Sequence, residues 1–137
     1  MMKIKVPIPV KMVVTNNYKA NMIVEIEKSI KQIKIELEQL QFQQKKLLSE
    51  AKKKGNEAVR IVQERIGYEH QRRKEKLDKL VIQLEQVERL KEGEEIFYST
   101  VESEIEIKVG DSWDEINRFS EIVVKDGVII DIRGKGV

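Results

Sequence analysis

The sequence predicts an α+β fold in which a long antiparallel coiled-coil helical hairpin is inserted into a small antiparallel β head. Two observations support this fold class. Apolar and polar side chains alternate near both ends of the chain, as in strands, whereas the middle repeats apolar residues every three or four positions. We therefore predict a single domain over residues 1–137, with a head of residues 1–15 and 96–137 and an arm of residues 16–92 that bends at 53–56.

The first segment, KIKVPIPVKMVV at residues 3–14, has the periodicity of a strand. Pro7 and Pro9 fall on one face together with lysines. Because a proline has no N–H to donate to a neighbouring strand, we expect an edge strand, or a strand that leaves the sheet at the prolines. The other face is apolar throughout and comprises Ile4, Val6, Ile8, Val10 and Met12.

A helix is predicted to follow directly. Thr15, Asn16 and Asn17 can each cap a helix N-terminus. From about Tyr18 the apolar residues alternate spacings of three and four, which is typical of a coiled coil. This first row contains Ile23, Ile26, Ile30, Ile33, Leu37, Leu40 and Leu47, with Gln44 as a polar member.

A second helical segment runs from about Asn56 to Lys91, and Gly93 is predicted to end it. If the chain reverses at Gly55, residues that face each other should have numbers that sum to about 110. Ile30 then faces Leu80, and apolar side chains meet over most of the length. The second row contains Leu77, Leu80, Leu84 and Val87, and the same register places His70 and Arg73 inside it.

Strand patterns return in the last third of the chain. In TVESEIEIKVG, apolar residues alternate with glutamates, and we expect lysines of a neighbouring strand to balance those charges. DSWDEINRF is predicted to form one or two helical turns, with Trp113 and Phe119 in the core of the head. Asp126 and Gly127 lie between two apolar runs and predict a two-residue type I′ hairpin.

Three segments carry a resemblance to a known family: VKMVVT at 10–15, LQFQQKKL at 40–47, and VGDSWDEI with EIVVKDGVIIDIR between 109 and 133. With the order of elements, they resemble the YlqD family of small bacterial proteins, which has no assigned activity. The resemblance covers nearly the whole chain, and its C-terminal segment is the most specific part. It implies no catalytic residues. Family members are often encoded beside ribosomal and ribosome-maturation genes, an association that supplies no mechanism.

Composition excludes several classes of function. The net charge is only +2, so no global field directs the protein to nucleic acid or to an anionic membrane. The absence of cysteine excludes disulfides and thiol chemistry, and it fits a reducing cytosol. The start has no apolar run of the kind found in signal peptides, and no stretch approaches the roughly 20 apolar residues of a membrane span. We predict a cytoplasmic protein with no membrane partner.

Charge is unevenly distributed along the chain. Residues 41–80 hold 12 Lys and Arg against 6 Asp and Glu, a net charge of +6. One interpretation is a surface that contacts phosphates; the alternative is a solvated helical face whose lysines suit the dipole of the first helix. No aromatic residue interrupts the lysine run, so a stacking site for single strands is not expected. The predicted contacts are Lys45, Lys46, Lys52, Lys53, Lys54, Arg60, Arg72 and Arg73.

No pattern in the sequence indicates catalysis. His70 is the one histidine, and we expect it to be a polar member of the helical row rather than a base, because two helices offer no concave site. We expect no metal site among Glu102, Glu104 and Glu106. The glycines form no phosphate-binding loop. We therefore predict no enzyme activity, cofactor, metal or small-molecule substrate.

Two functions remain open. The first is a non-enzymatic factor that associates with RNA or the ribosome through a basic coiled-coil tip. The alternative is an oligomeric interaction or assembly protein, similar in architecture to prefoldin, that binds protein partners. Both faces of EIVV and VIID carry apolar residues, which leaves more apolar surface than a small head can bury. We therefore predict a homo-oligomer, most simply a dimer.

Overall fold

A computed structural model describes residues 1–116 and 120–134. Within these residues the structure is α+β, as predicted. Phe119, which we expected in the core of the head, lies outside the described residues. The elements in chain order are β1 (Met2–Val13), α1 (Asn16–Lys52), α2 (Asn56–Arg89), β2 (Glu95–Ile107), α3 (Trp113–Ile116), β3 (Glu121–Lys125) and β4 (Val128–Arg133).

The chain divides into two compact units. The sheet unit combines Met1–Lys19 with Leu90–Val137, and it contains all the described strands. The helical unit is Ala20–Arg89, and it contains most of α1 and all of α2. The single domain predicted from the sequence stays a prediction.

The sheet of the described residues has the strand order β2-β1-β3-β4 and is mixed. The pairs β1–β2 and β3–β4 are antiparallel, whereas β1 and β3 pair in parallel over three positions, Val10 to Met12 of β1 with Ile122 to Val124 of β3. The prediction of an antiparallel sheet is therefore wrong at this pair. Tight turns impose antiparallel pairing, but more than 100 residues separate β1 from β3, so the connection leaves either direction open.

The prolines of β1 lie where only one side of the strand is paired. Pro7 is opposite Glu102 and Pro9 is opposite Thr100 on β2, while the described pairing with β3 begins at Val10. The predicted edge character therefore holds for residues 2–9 and fails for residues 10–12. A missing N–H is tolerated where no further strand is present to accept it.

Thr15 joins the start of α1 to the β3–β4 hairpin. Its Oγ1 accepts a hydrogen bond of 3.1 Å from the backbone N–H of Tyr18, which makes Thr15 the N-cap among the three predicted candidates. The same hydroxyl donates to Oδ1 of Asp126 at 2.8 Å. Asp126 and Gly127 have φ of 47° and 79°, which confirms the type I′ turn, and that turn brings the carboxylate to Thr15.

The core of the sheet unit lies beside this junction. Val14 and Val123 are fully buried, and Val10 is nearly so. The backbone of Val14 also donates to the carbonyl of Glu94 and accepts from Gly93, both at 2.8 Å. Gly93 has φ of 88°, but α2 ends at Arg89, so this glycine belongs to the turn after the helix rather than to the helix cap.

Trp113 does not join this core. Its side chain is 61% exposed, so the prediction that it packs inside the head is wrong. The described part of α3 spans only four residues, which is too short to present an apolar stripe to the sheet. Ile116 of the same turn is half-buried.

Burial in the helical unit follows the predicted apolar rows with two shifts. Ile26, Ile33 and Leu40 are buried, as are Ile66 and Val87. Near the end of α1 the half-buried residue is Leu48, and Leu47 is exposed, because a strict seven-residue repeat drifts by about 20° per heptad on a straight helix. In α2, Glu69 and Arg73 are half-buried. His70 is exposed, but it lines a surface cleft together with Leu37, Leu40 and Ile66, so it borders the buried row.

Candidate nucleic-acid interface

The turn between α1 and α2 is closed by backbone groups. The carbonyl oxygen of Ala51 accepts hydrogen bonds from the N–H groups of Lys54 and Gly55, at 3.0 and 3.2 Å. Gly55 has φ of 118°, a conformation that side chains with a Cβ rarely adopt. The Ala51 side chain is buried below the turn. The lysine side chains of this segment therefore take no part in forming the turn.

Five lysines surround this turn, and all of them are exposed. None forms an ion pair with any residue in the described part of the chain. Residues 45–54 contain one acidic residue, Glu50, so their net charge is +4. We call this set the turn lysines: Lys45, Lys46, Lys52, Lys53 and Lys54.

Arg60 is already engaged by carboxylates on its own helix. It contacts Glu57 one turn before it and Glu64 one turn after it, with Nη1 2.7 Å from Oε1 of Glu64. The hydrogen bond from Arg60 holds the pKa of Glu57 below its ordinary value. An incoming phosphate would therefore have to displace two existing partners of this guanidinium.

Arg73 is engaged as well. Its guanidinium pairs with the side chain of Glu69, donates to the Glu69 carbonyl at 3.1 Å, and lies 4.0 Å from Glu36 of α1. The pKa of Glu69 is lowered, first by the hydrogen bond from Arg73 and further by the charges of Arg72 and Arg65. Arg73 thus connects α1 to α2 within the helical unit.

The predicted set therefore divides into open and engaged cations. Arg72 is exposed and, like the turn lysines, forms no ion pair among the described residues. Arg65 is equally exposed and was missed, although it contributes to the charge count of residues 41–80 that reveals the region. Arg60 and Arg73 are not open cations, because each is already paired with carboxylates.

Four basic side chains of the sheet unit contrast with this region, because they lie opposite carboxylates. Lys3 is 3.8 Å from Glu104 and Lys5 is 3.9 Å from Glu102, which confirms the predicted balance between strands β1 and β2. Farther along the sheet, two more basic side chains contact acidic residues of other strands: Lys11 with Glu121 at 2.7 Å, and Arg133 with Glu95 at 2.9 Å and Glu121 at 3.4 Å.

The described residues offer neither a metal site nor a membrane-spanning helix. Over residues 1–116 and 120–134, no group of three or more His, Asp or Glu side chains is placed to hold a metal ion. None of the helices in the described part of the chain is long and apolar enough to cross a membrane.

Comparisons with known proteins address the fold and the family. The family model described as YlqD protein matches residues 2–133. The chain belongs to the YlqD family. This finding confirms the resemblance carried by the three sequence segments. No curated protein matches the sequence.

A solved structure resembles this YlqD chain over almost its full length. It is the crystal structure of a protein of unknown function from Synechococcus sp. WH 8102. The two chains are 29% identical, the match covers 96% of this chain and 94% of the other, and the TM-score is 0.73. The relationship supports the fold and assigns no activity.

Proposed function

We propose that α1 and α2 form an antiparallel coiled-coil hairpin. The Arg73–Glu36 contact supports this arrangement, because the two residue numbers sum to 109, close to the value expected for a reversal at Gly55. The buried rows of both helices support it as well. Since the chain has no cysteine, the pair Ile30→Cys and Leu80→Cys can test it: oxidation should form an intramolecular disulfide. Gln39→Cys with Leu80→Cys is the mismatched control, and equal cross-linking of both pairs would contradict the hairpin.

We propose that the protein is a non-enzymatic, cytoplasmic factor that binds RNA, free or in the ribosome, through the turn lysines. The observation that carries the proposal is that these five cations are exposed and have no carboxylate partner in the described residues. Lysines that neutralise phosphates release condensed counterions, which makes binding favourable at low salt and weak at high salt. The turn is formed by backbone bonds, so its lysines are free to contact a ligand without loss of structure.

The test is the salt dependence of RNA binding. The triple variant Lys52→Gln/Lys53→Gln/Lys54→Gln should bind more weakly than the wild type. The slope of log K against log salt should become shallower by about 2 to 2.7, which corresponds to three lost phosphate contacts. Fluorescence anisotropy of a labelled RNA at four or more salt concentrations measures both quantities.

A matched control variant lies on the same helix. Lys28→Gln/Lys31→Gln/Lys34→Gln removes the same charge from exposed positions of α1 that lie before the basic region. It should retain the wild-type slope. If both triple variants change the slope equally, binding follows net charge alone, and if neither changes it, the turn lysines do not contact phosphate.

A second function, self-association through the sheet, has its own support. β4 is the last strand in the sheet order, and its apolar side chains are 49–62% exposed: Val128, Ile129, Ile130 and Ile132. An exposed apolar edge strand is a template for pairing with another chain. We propose that a second copy pairs with it, β4 against β4, to form a dimer. This dimer is the basis of the assembly-protein alternative.

The oligomeric state tests this second proposal. Sedimentation equilibrium of the wild type at tens of micromolar should give a dimer, and Ile130→Lys should give a monomer, because a lysine on an edge strand opposes pairing. Val24→Lys places the same charge on an exposed apolar position of α1 and should remain dimeric. A wild type that is wholly monomeric, or a dimer that survives Ile130→Lys, would contradict pairing through β4.

A further inference from the structure

Two aromatic side chains of the helical unit are unusually exposed. Phe42 on α1 is 75% exposed and Tyr68 on α2 is 66% exposed. They are the only aromatic residues in the sequence from 20 to 89, and both fall within the basic stretch 41–80. A phenyl ring in water contributes no burial to the fold, so its position calls for an explanation outside the helical unit itself.

Each ring is directed away from the buried row of its helix. Leu40 precedes Phe42 by two residues, and Ile66 precedes Tyr68 by two. Both side chains are buried, each with only 6% of its surface exposed. Two residues correspond to about 200° around an α-helix. The rings therefore lie on the outward faces of α1 and α2, where a ligand from solution can reach them.

Open cations flank both rings at the distance of one helical turn. Lys45 and Lys46 follow Phe42 by three and four residues, while Arg65 precedes Tyr68 by three and Arg72 follows it by four. Side chains at these spacings are neighbours on a helix surface, with Cβ atoms about 5 to 6 Å apart. All four cations are exposed and form no ion pair with a described residue.

We propose that Phe42 and Tyr68 are stacking platforms for unpaired RNA bases, with the adjacent cations on the flanking phosphates. Bases of a duplex are stacked on one another, so rings on a helix surface can engage only single strands, loops or bulges. The inference rests on the proposed RNA binding and names its ligand class: single-stranded or looped RNA. Charge complementarity favours this occupant, because a second copy would bring the same cations against those of the first.

The inference also revises an expectation from the sequence. The lysine run itself contains no aromatic residue, and for that reason a stacking site was not expected there. Helical geometry places Phe42 beside Lys45 and Lys46 although it precedes them in the chain. The relevant signal is thus a spacing of three and four residues rather than direct interleaving.

The experiment compares strands with and without bases. The full-length protein is titrated by fluorescence anisotropy with an oligouridylate of about twelve nucleotides and with an abasic strand of the same length. The wild type should bind the oligouridylate more tightly. Phe42→Leu/Tyr68→Leu, which keeps apolar side chains and helix propensity, should lose about 5- to 140-fold per ring on the oligouridylate and nothing on the abasic strand. Tyr68→Phe retains the ring and should match the wild type.

Each other outcome overturns the inference in a distinct way. Equal wild-type affinity for the two strands would reject stacking while leaving phosphate binding by the turn lysines intact. Equal loss on both strands by the double leucine variant would mean that the rings act on the structure rather than on bases. Binding to neither strand by the wild type would reject the proposed function and the inference together. Circular dichroism melting of each variant establishes that it is folded.

Discussion

Four cations of the sheet unit and the lysines around the α1–α2 turn have the same chemistry and opposite surroundings. Lys3, Lys5, Lys11 and Arg133 lie within ion-pair distance of carboxylates on neighbouring strands. The turn lysines have no such partner among the described residues. Both groups consist of basic residues. The presence or absence of a carboxylate partner therefore distinguishes a cation that stabilises the fold from one that is available to a ligand.

This difference has a thermodynamic consequence. A cation that holds a carboxylate must give up that contact before it can bind a phosphate, so its net gain from binding is small. An unpartnered lysine gives up only water and counterions. The comparison therefore predicts that substitutions in the sheet unit change stability, and that substitutions around the turn change binding.

Thr15→Val should give the largest effect on stability. The substitution keeps the shape of a buried side chain but removes both the N-cap and the hydrogen bond to Asp126. Loss of a cap and of a hydrogen bond to a carboxylate should lower the free energy of unfolding by about 2 to 4 kcal/mol. Urea denaturation measures this, and Thr15→Ser, which retains the hydroxyl, should lose much less. Equal losses for the two variants would show that packing, rather than the hydroxyl, matters here.

Arg133→Gln should weaken the sheet in a pH-dependent way. Hydrogen bonds from Arg133 lower the pKa of Glu95, and those from Lys11 and then Arg133 lower the pKa of Glu121. A carboxyl whose folded pKa is depressed contributes stability above its unfolded pKa of about 4.3, and that stability is lost as the pH falls through the folded pKa. The wild-type melting temperature should therefore fall below about pH 4.5. The fall should be shallower in the variant.

The control for this prediction comes from the other region. Lys45→Gln removes an unpartnered cation and should leave the acid limb of the melting curve as in the wild type. Thermal melting at half-unit pH intervals between 3 and 7 makes the comparison. An acid limb that is identical in Arg133→Gln and in the wild type would mean that the ion pairs across the sheet contribute nothing to stability.

The smallest effect is expected from the turn lysines. Lys52→Gln/Lys53→Gln/Lys54→Gln should keep its melting temperature within about two degrees of the wild-type value, because exposed charges without partners contribute little. Differential scanning calorimetry measures it. A large drop in melting temperature would show that these lysines stabilise the end of α1. The two regions would then not differ in how their cations contribute to stability.

Local patterns in the sequence predicted local structure well. The Asp126-Gly127 turn, the cap at the start of α1 and the lysine–glutamate balance between β1 and β2 depend on residues that are adjacent or directly paired. The parallel pairing of β1 with β3 could not be predicted, because no turn links these strands and fixes their direction.

The candidate site was predicted in part. The open and engaged cations all lie in the stretch that the charge count identifies. The ion pairs of Arg60 and Arg73 could have been predicted from the sequence, because Glu57, Glu64 and Glu69 lie three or four residues away on the same helix. The exposure of Phe42 also follows from the predicted row, because Phe42 lies two residues, or about 200°, beyond its member Leu40.

The bond between Thr15 and Asp126 also sets the order in which the protein can be completed during synthesis. Its two partners are 111 residues apart. At translation rates of about 5 to 20 residues per second, Thr15 waits roughly 6 to 20 seconds for Asp126 to be made. Helical segments form within about a microsecond, so α1 and α2 can fold long before β3 and β4 exist. The sheet is therefore the last part of the nascent chain to be completed, and β1 has no strand to pair with until β2 has been made.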